Sequence, residues 1–140
     1  MADQSGVGFT HLSVPVSSLD RSIPFYESYG GLRLVAREPR SQGADTAALA
    51  DGAGSFILVL AETPHLRPRL EGRAHLGVGC ESREEVDRRA GEARSNGFMV
   101  GGPVDAGGQV GYHAFLVDPD GHQLELAYGQ EVGLSMAASG

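Results

Sequence analysis

The chain has 140 residues, 41% of them apolar, a formal charge of −7 and one cysteine. That is enough chain to bury one domain's core without disulfides, and the lone Cys80 excludes an intrachain disulfide or a cysteine-based zinc cluster. The acidic balance disfavours nonspecific nucleic-acid binding, and all 11 cationic residues are Arg, so no lysine is present for a Schiff base or a phosphate anchor.

The opening residues Met1 to Gly6 are polar and lack a signal-peptide core. Residues 9–15 alternate as a strand, with Phe9, His11 and Ser13 on one side and Thr10, Leu12 and Val14 on the other. Ser17, Ser18, Leu19 and Asp20 offer N-cap candidates, and Leu19, Ile23, Phe25, Tyr26 and Tyr29 recur at helical spacing until Gly30-Gly31 stops them. Pro24 is tolerable there if the helix starts near Asp20, which keeps it in or near the first turn. Leu32 to Arg37 reads as a strand, and Ala44 to Ala50 with Ser55 to Leu60 reads as a hairpin around Asp51-Gly52-Ala53-Gly54. Residues 62–72, with two prolines and several charges, read as a linker.

The order then repeats. Ala74 to Cys80 is a strand whose thiol is expected to be buried and inert. Ser82-Arg83-Glu84-Glu85 is a capping box opening a helix that ends at Gly97. Phe98 to Val100 is a strand, and Gly101, Gly102, Gly107 and Gly108 predict a loose stretch after it. Val110 to Val117 and Gln123 to Tyr128 form a hairpin across Asp118-Pro119-Asp120-Gly121, and the residues after Gly129 read as a tail. The fold expected is therefore α+β: one domain of two tandem βαβββ modules, at about 9–61 and 73–129, with linker 62–72 and tail 130–140. One face of each sheet takes its helix, and the other curves around a shared space. No stretch is apolar and long enough to span a membrane, so the expected location is the cytoplasm.

Thr10-His11-Leu12-Ser13-Val14 and Ala74-His75-Leu76-Gly77-Val78 are versions of one motif. Aligning the hairpins that follow on Asp51 and Asp118 puts Leu58 opposite Glu125. By strand parity His11, His75 and Glu125 all fall on the more polar faces, while Leu12, Val14, Leu76, Val78, Leu124 and Leu126 face the helices. A strand histidine is more often structural than a ligand, and a Glu in a terminal strand is usually solvated. Repeat-equivalent placement favours a metal site: two imidazoles and a carboxylate suit a divalent cation and leave positions open for substrate. Phe56, Leu58, Leu60 and Phe115 are expected to wall a small-molecule pocket, with Ser13 and Gln123 as its polar members. His113, beside Phe115, is either an acid–base group or a strand-edge histidine, whereas Tyr112 faces the other way. His65 in the linker and His122 at the turn are assigned to solvent.

His-Leu-x-Val, then Leu19-Asp20-Arg21-Ser22-Ile23-Pro24-Phe25-Tyr26, and finally Asp118-Pro119-Asp120-Gly121-His122-Gln123-Leu124-Glu125-Leu126, resemble the vicinal oxygen chelate superfamily over residues 9–128. That group includes glyoxalase I, fosfomycin-resistance thiol transferases, extradiol dioxygenases, methylmalonyl-CoA epimerase and bleomycin-resistance proteins. The resemblance implies an open barrel of paired modules with one divalent metal on its floor, and a homodimer whose barrels often combine modules of two chains. It matches His11, His75 and Glu125 to the ligand positions, with His11 available from a partner subunit. Glyoxalase I carries a second carboxylate, and the epimerase a Gln, where this alignment has Leu58. The fosfomycin enzymes use a lysine that is absent here. Extradiol enzymes share the two-His-one-carboxylate set suited to Fe(II), but add a tyrosine where this chain has Phe115. The function implied is a metal-dependent enzyme, dioxygenase-like or lyase/isomerase-like, that uses Fe(II), with Mn, Ni or Zn as alternatives, to chelate a small organic substrate. The alternatives are a non-catalytic drug- or metabolite-binding protein and, third, a fosfomycin-type thiol transferase.

Overall fold

The computed structural model describes residues 8–40 and 43–130, so the polar Met1–Gly6 segment and all of the expected tail except Gln130 lie outside the described residues. The chain divides into two compact units between Arg69 and Leu70, inside the stretch read as a linker. The first contains β1 (His11–Val16), α1 (Leu19–Gly30), β2 (Arg33–Glu38), β3 (Thr46–Ala50) and β4 (Ile57–Glu62). The second contains β5 (Leu76–Gly79), α2 (Arg83–Ser95), β6 (Met99–Asp105), β7 (Tyr112–Val117) and β8 (Gln123–Tyr128). Each is a βαβββ module, as the sequence pattern requires. The strand orders, β1-β4-β3-β2 and β5-β8-β7-β6, are the same, with the first strand parallel to the last in each. Among the described residues no helix is long and apolar enough to cross a membrane.

In module 1, Ser18 caps α1 by accepting from the Arg21 amide, and the Glu62 carboxylate accepts from the Leu19 amide at 2.8 Å. The helix ends at Gly31, whose φ of +65° is the left-handed conformation that a C-terminal stop uses. Pro24 lies in the second turn rather than the first. Leu19, Ile23, Tyr26 and Tyr29 of the helix are buried together with Val14, Val16, Ala47, Leu49, Leu58 and Leu60 of the sheet. Removing each such leucine from water is worth about 2 kcal/mol.

In module 2, Ser82 caps α2 through the Glu85 amide at 3.1 Å. Only this half of the expected capping box carries its assigned role: the Glu85 carboxylate turns to Arg88 and Arg89. Val86, Ala90 and Ala93 of the helix are buried with Ala114, Leu116, Leu124 and Leu126 of the sheet. The glycine stretch expected to be loose is instead partly strand. β6 runs on to Asp105, and its pairing with β7 is irregular between Met99 and Val104. Gly102 has a φ of +91°, and a Cβ there would lie 2.8 Å from the His113 carbonyl oxygen. The glycine marks close backbone approach between two paired strands.

Candidate metal centre

Register fixes which side chains share the face of the module 2 sheet opposite the leucines. Gly77 of β5 pairs with Glu125 of β8, and Glu125 pairs with Phe115 of β7. His75 stands two residues before Gly77 and so projects to the same side. Its Nε2 lies 3.1 Å from Glu125 Oε2, with His75 partly exposed and Glu125 nearly buried, at 32% and 9% side-chain exposure. The Phe115 ring stands nearly perpendicular to the rings of His75 and His113, with centroids 5.1 and 5.6 Å away.

Hydrogen bonding sets the chemistry of the pair. His75 Nδ1 faces the Arg73 carbonyl oxygen at 3.1 Å. A carbonyl only accepts, so Nδ1 carries a hydrogen and Nε2 is the ring atom left facing the carboxylate. Two electron-rich atoms at 3.1 Å attract each other only with a proton or a cation between them. With metal–ligand bonds of about 2.1 Å, a nitrogen and an oxygen at that spacing subtend roughly a right angle at a shared cation. The donor set and spacing therefore fit two adjacent positions of a divalent metal. A Cβ at position 77 would touch Glu125 Oε2 at 3.7 Å, an ordinary contact, which places Gly77 beside the carboxylate.

His11, the remaining expected ligand, is exposed at the start of β1, with Nδ1 2.9 Å from the Thr10 hydroxyl. Ser13 is exposed on the same face of the module 1 sheet. Among the described residues no three His, Cys, Asp or Glu side chains form a ready cluster for a cation. What the structure brings together is the pair His75–Glu125.

Two pocket expectations are corrected. Leu58 and Leu60 pair with Leu12 and Val14, on the opposite face from His11, and are core residues at 3% and 0% exposure. Ile57 and Val59 share the His11 face instead, through the pairs His11–Ile57 and Ser13–Val59. The first hairpin turn is one residue longer than the second: the Asp51 amide donates to the Phe56 carbonyl, whereas the Asp118 amide donates to the His122 carbonyl. Phe56 thus corresponds to His122, and Val59, not Leu58, corresponds to Glu125. The chemical reading survives the shift, since valine no more ligates a cation than leucine does.

The other candidates are placed as follows. Phe56 is half-buried at that turn. Gln123 and Phe115 share the Glu125 face by register, and Tyr112 faces α2, where its hydroxyl donates to Asp87. His113 is half-buried, with Nδ1 3.3 Å from the Gly111 carbonyl oxygen. Cys80 is half-buried just beyond β5, and burial pushes its thiol up from the ordinary value. His65 is exposed as expected. His122 is not: it is fully buried, and its Nδ1 accepts from the Leu70 amide at 3.0 Å. Gln130, read as tail, donates from Nε2 to Glu125 Oε1 at 3.2 Å. The available signal was Gly129, whose φ of +79° turns the chain immediately before it.

Residues 8–126 match the family model of the Glyoxalase/Bleomycin resistance protein/Dioxygenase superfamily. An uncharacterized protein of Pseudomonas aeruginosa is 34% identical over 127 residues, spanning 89% of this chain and 90% of that protein. A lactoylglutathione lyase of Neisseria meningitidis is 28% identical over 121 residues, covering 83% and 86% of the two chains. Among solved structures, the antibiotic binding protein TnmS3 of Streptomyces sp. CB03234 superposes with a TM-score of 0.69 at 26% identity, over 90% of this chain and 98% of that one. The duplicated βαβββ topology and a sequence match running through both modules lead to one assignment: the chain belongs to the Glyoxalase/Bleomycin resistance protein/Dioxygenase superfamily.

Proposed function

We propose that this protein is a metal-dependent enzyme that chelates a small organic substrate to a divalent cation held by His75, Glu125 and His11. The observation that carries the reading is the His75 Nε2 to Glu125 Oε2 approach of 3.1 Å, with Nδ1 turned to the Arg73 carbonyl. His11 joins on the resemblance of the two His-Leu-x-Val strands, from its own chain or from the other subunit of a homodimer. When bound, the cation supplies Lewis-acid polarisation, or dioxygen activation where it is Fe(II). Val59 at the place equivalent to Glu125 supports a three-ligand site, which suits a dioxygenase-like reaction better than a lyase needing a fourth carboxylate. His113, in ring contact with Phe115, is the candidate acid–base group. A cytoplasmic location fits this chemistry.

The second reading is a binder that sequesters a drug or metabolite without turnover. It is favoured by the likeness to the antibiotic binding protein and by the ring cluster of His75, Phe115 and His113, aromatic surface of the kind a planar ligand packs on. Metal analysis of protein purified without chelator, in wild type and in Glu125→Ala, separates the two. The enzyme reading expects about one divalent ion per chain, lost in the variant. Absence of metal after reconstitution with Fe(II), Mn(II), Ni(II) and Zn(II) leaves the binder. Oxygen uptake with catechol-type substrates then tests the dioxygenase branch.

A further inference from the structure

Glu125 is a carboxylate at 7% exposure, and burying one is costly unless both oxygens are satisfied. Its two oxygens are served differently. Oε2 faces His75, while Oε1 accepts from the side-chain amide of Gln130 at 3.2 Å. Gln130 lies two residues beyond β8, and the backbone dictates how it returns to the sheet face.

Gly111, just before β7, is the seat for that return. Its φ is +71°, and a Cβ there would lie 2.6 Å from the Tyr128 carbonyl oxygen and 3.0 Å from the Gln130 amide nitrogen. The 128–130 backbone therefore rests directly on Gly111. Gly111 is itself pinned: its amide donates to the Gly107 carbonyl at 2.9 Å, and its carbonyl accepts from the Ala106 amide at 3.0 Å. Gly129, with a φ of +79°, then turns the chain so that Gln130 reaches back five residues to Glu125.

The chemistry of the donor matters as much as its place. An amide satisfies Oε1 without cancelling the negative charge, which a guanidinium in that position would do. The charge stays available at Oε2, on the His75 side. Resting on the metal reading above, we infer that Gln130 is a positioning residue that holds Glu125 as a one-oxygen ligand through Oε2. A carboxylate binding through both oxygens would fill a further coordination position. Reserving Oε1 for Gln130 keeps that position for a substrate that chelates through two oxygens of its own.

The test is calorimetric titration of the whole protein with Mn(II), Ni(II) and Zn(II), in wild type, Gln130→Met, Gln130→Ala and Glu125→Ala. Infrared difference spectra between metal-loaded and chelator-treated protein accompany it. Methionine keeps the length and packing of Gln130 without its N–H, and matching thermal unfolding midpoints control for the fold. Affinity in both Gln130 variants is expected to fall about tenfold or more, as outer-shell substitutions do. The splitting between the two carboxylate stretches should also narrow, from the one-oxygen towards the two-oxygen pattern. Unchanged affinity and splitting in the Gln130 variants, with metal lost in Glu125→Ala, overturns the positioning role and leaves the metal reading standing. A wild type that takes up none of the three ions, nor Fe(II) added without oxygen, overturns both.

Discussion

His122 and His75 lie in one module and use their rings in opposite ways. His75 spends Nδ1–H on a carbonyl and turns Nε2 outward to a carboxylate. His122 uses Nδ1 as an acceptor for the Leu70 amide, so its hydrogen sits on Nε2. The same junction is closed by the Gln123 amide donating to the Leu70 carbonyl at 2.6 Å, while Asp118 Oδ1 holds the turn before β8 by accepting from the Asp120 and His122 amides. His122 thus fastens the start of module 2 to the beginning of β8. Its replacement by leucine should strand the Leu70 amide and cost about 1–3 kcal/mol. His122→Asn, which keeps an acceptor, should cost less. Urea midpoints and hydrogen exchange at Leu70 check this; equal loss in the two variants would assign the effect to ring packing rather than to the hydrogen bond.

Elements show which sequence signals carry over into structure. β8 spans Gln123–Tyr128 as read, because a strong turn precedes it and its alternation separates Leu124 and Leu126 from Glu125. The glycines predict an end to β6 near Val100, because glycine reads locally as a breaker. In the fold, Gly102 is there for the backbone of β7 pressed against it, a long-range fact that no local window contains. The same limit explains Leu58: Asp51 and Asp118 look equivalent along the chain, and the extra residue of the first turn shows only in its closing hydrogen bond. The His75–Glu125 face was legible because strand parity needs no knowledge of the turns. The partners of His122 and Glu125 were not, since one is a backbone amide 52 residues away and the other lies past the last strand.

α2 yields a prediction at this same scale. Arg88 and Arg89 hold the Glu85 carboxyl at about 2, below its ordinary 4.5. A depressed folded value means the contribution is fully present above 4.5 and is lost as pH falls from there towards 2. Arg88 is solvated while Arg89 and Glu85 are only partly exposed, so Glu85→Gln should cost about 1 kcal/mol at neutral pH. At pH 2 to 3 the difference between variant and wild type should shrink, because the protonated acid resembles the amide. A difference in urea midpoint that stays constant from pH 7 to pH 2.5 would remove the ion pairs as its cause.

For the whole molecule the question is what a bound cation does to two units with separate cores. The proposed ligands are divided between them: His75 and Glu125 in one, His11 in the other. A cation that binds only the folded protein stabilises it by about 2.7 kcal/mol at a hundredfold excess over its dissociation constant. For modules of this size that is on the order of 10 °C in unfolding midpoint. Adding metal after chelator treatment should therefore raise the calorimetric midpoint of wild type by about that amount, and the rise should vanish in Glu125→Ala. His11→Ala is the informative variant. If His11 is the third ligand, the rise must largely disappear there too, although His11 is exposed and its loss should hardly alter the metal-free midpoint. A full rise in His11→Ala would confine the cation to module 2. A His11-dependent rise that grows with protein concentration would assign the ligand to the partner subunit, because a shared site ties metal binding to dimer formation by mass action.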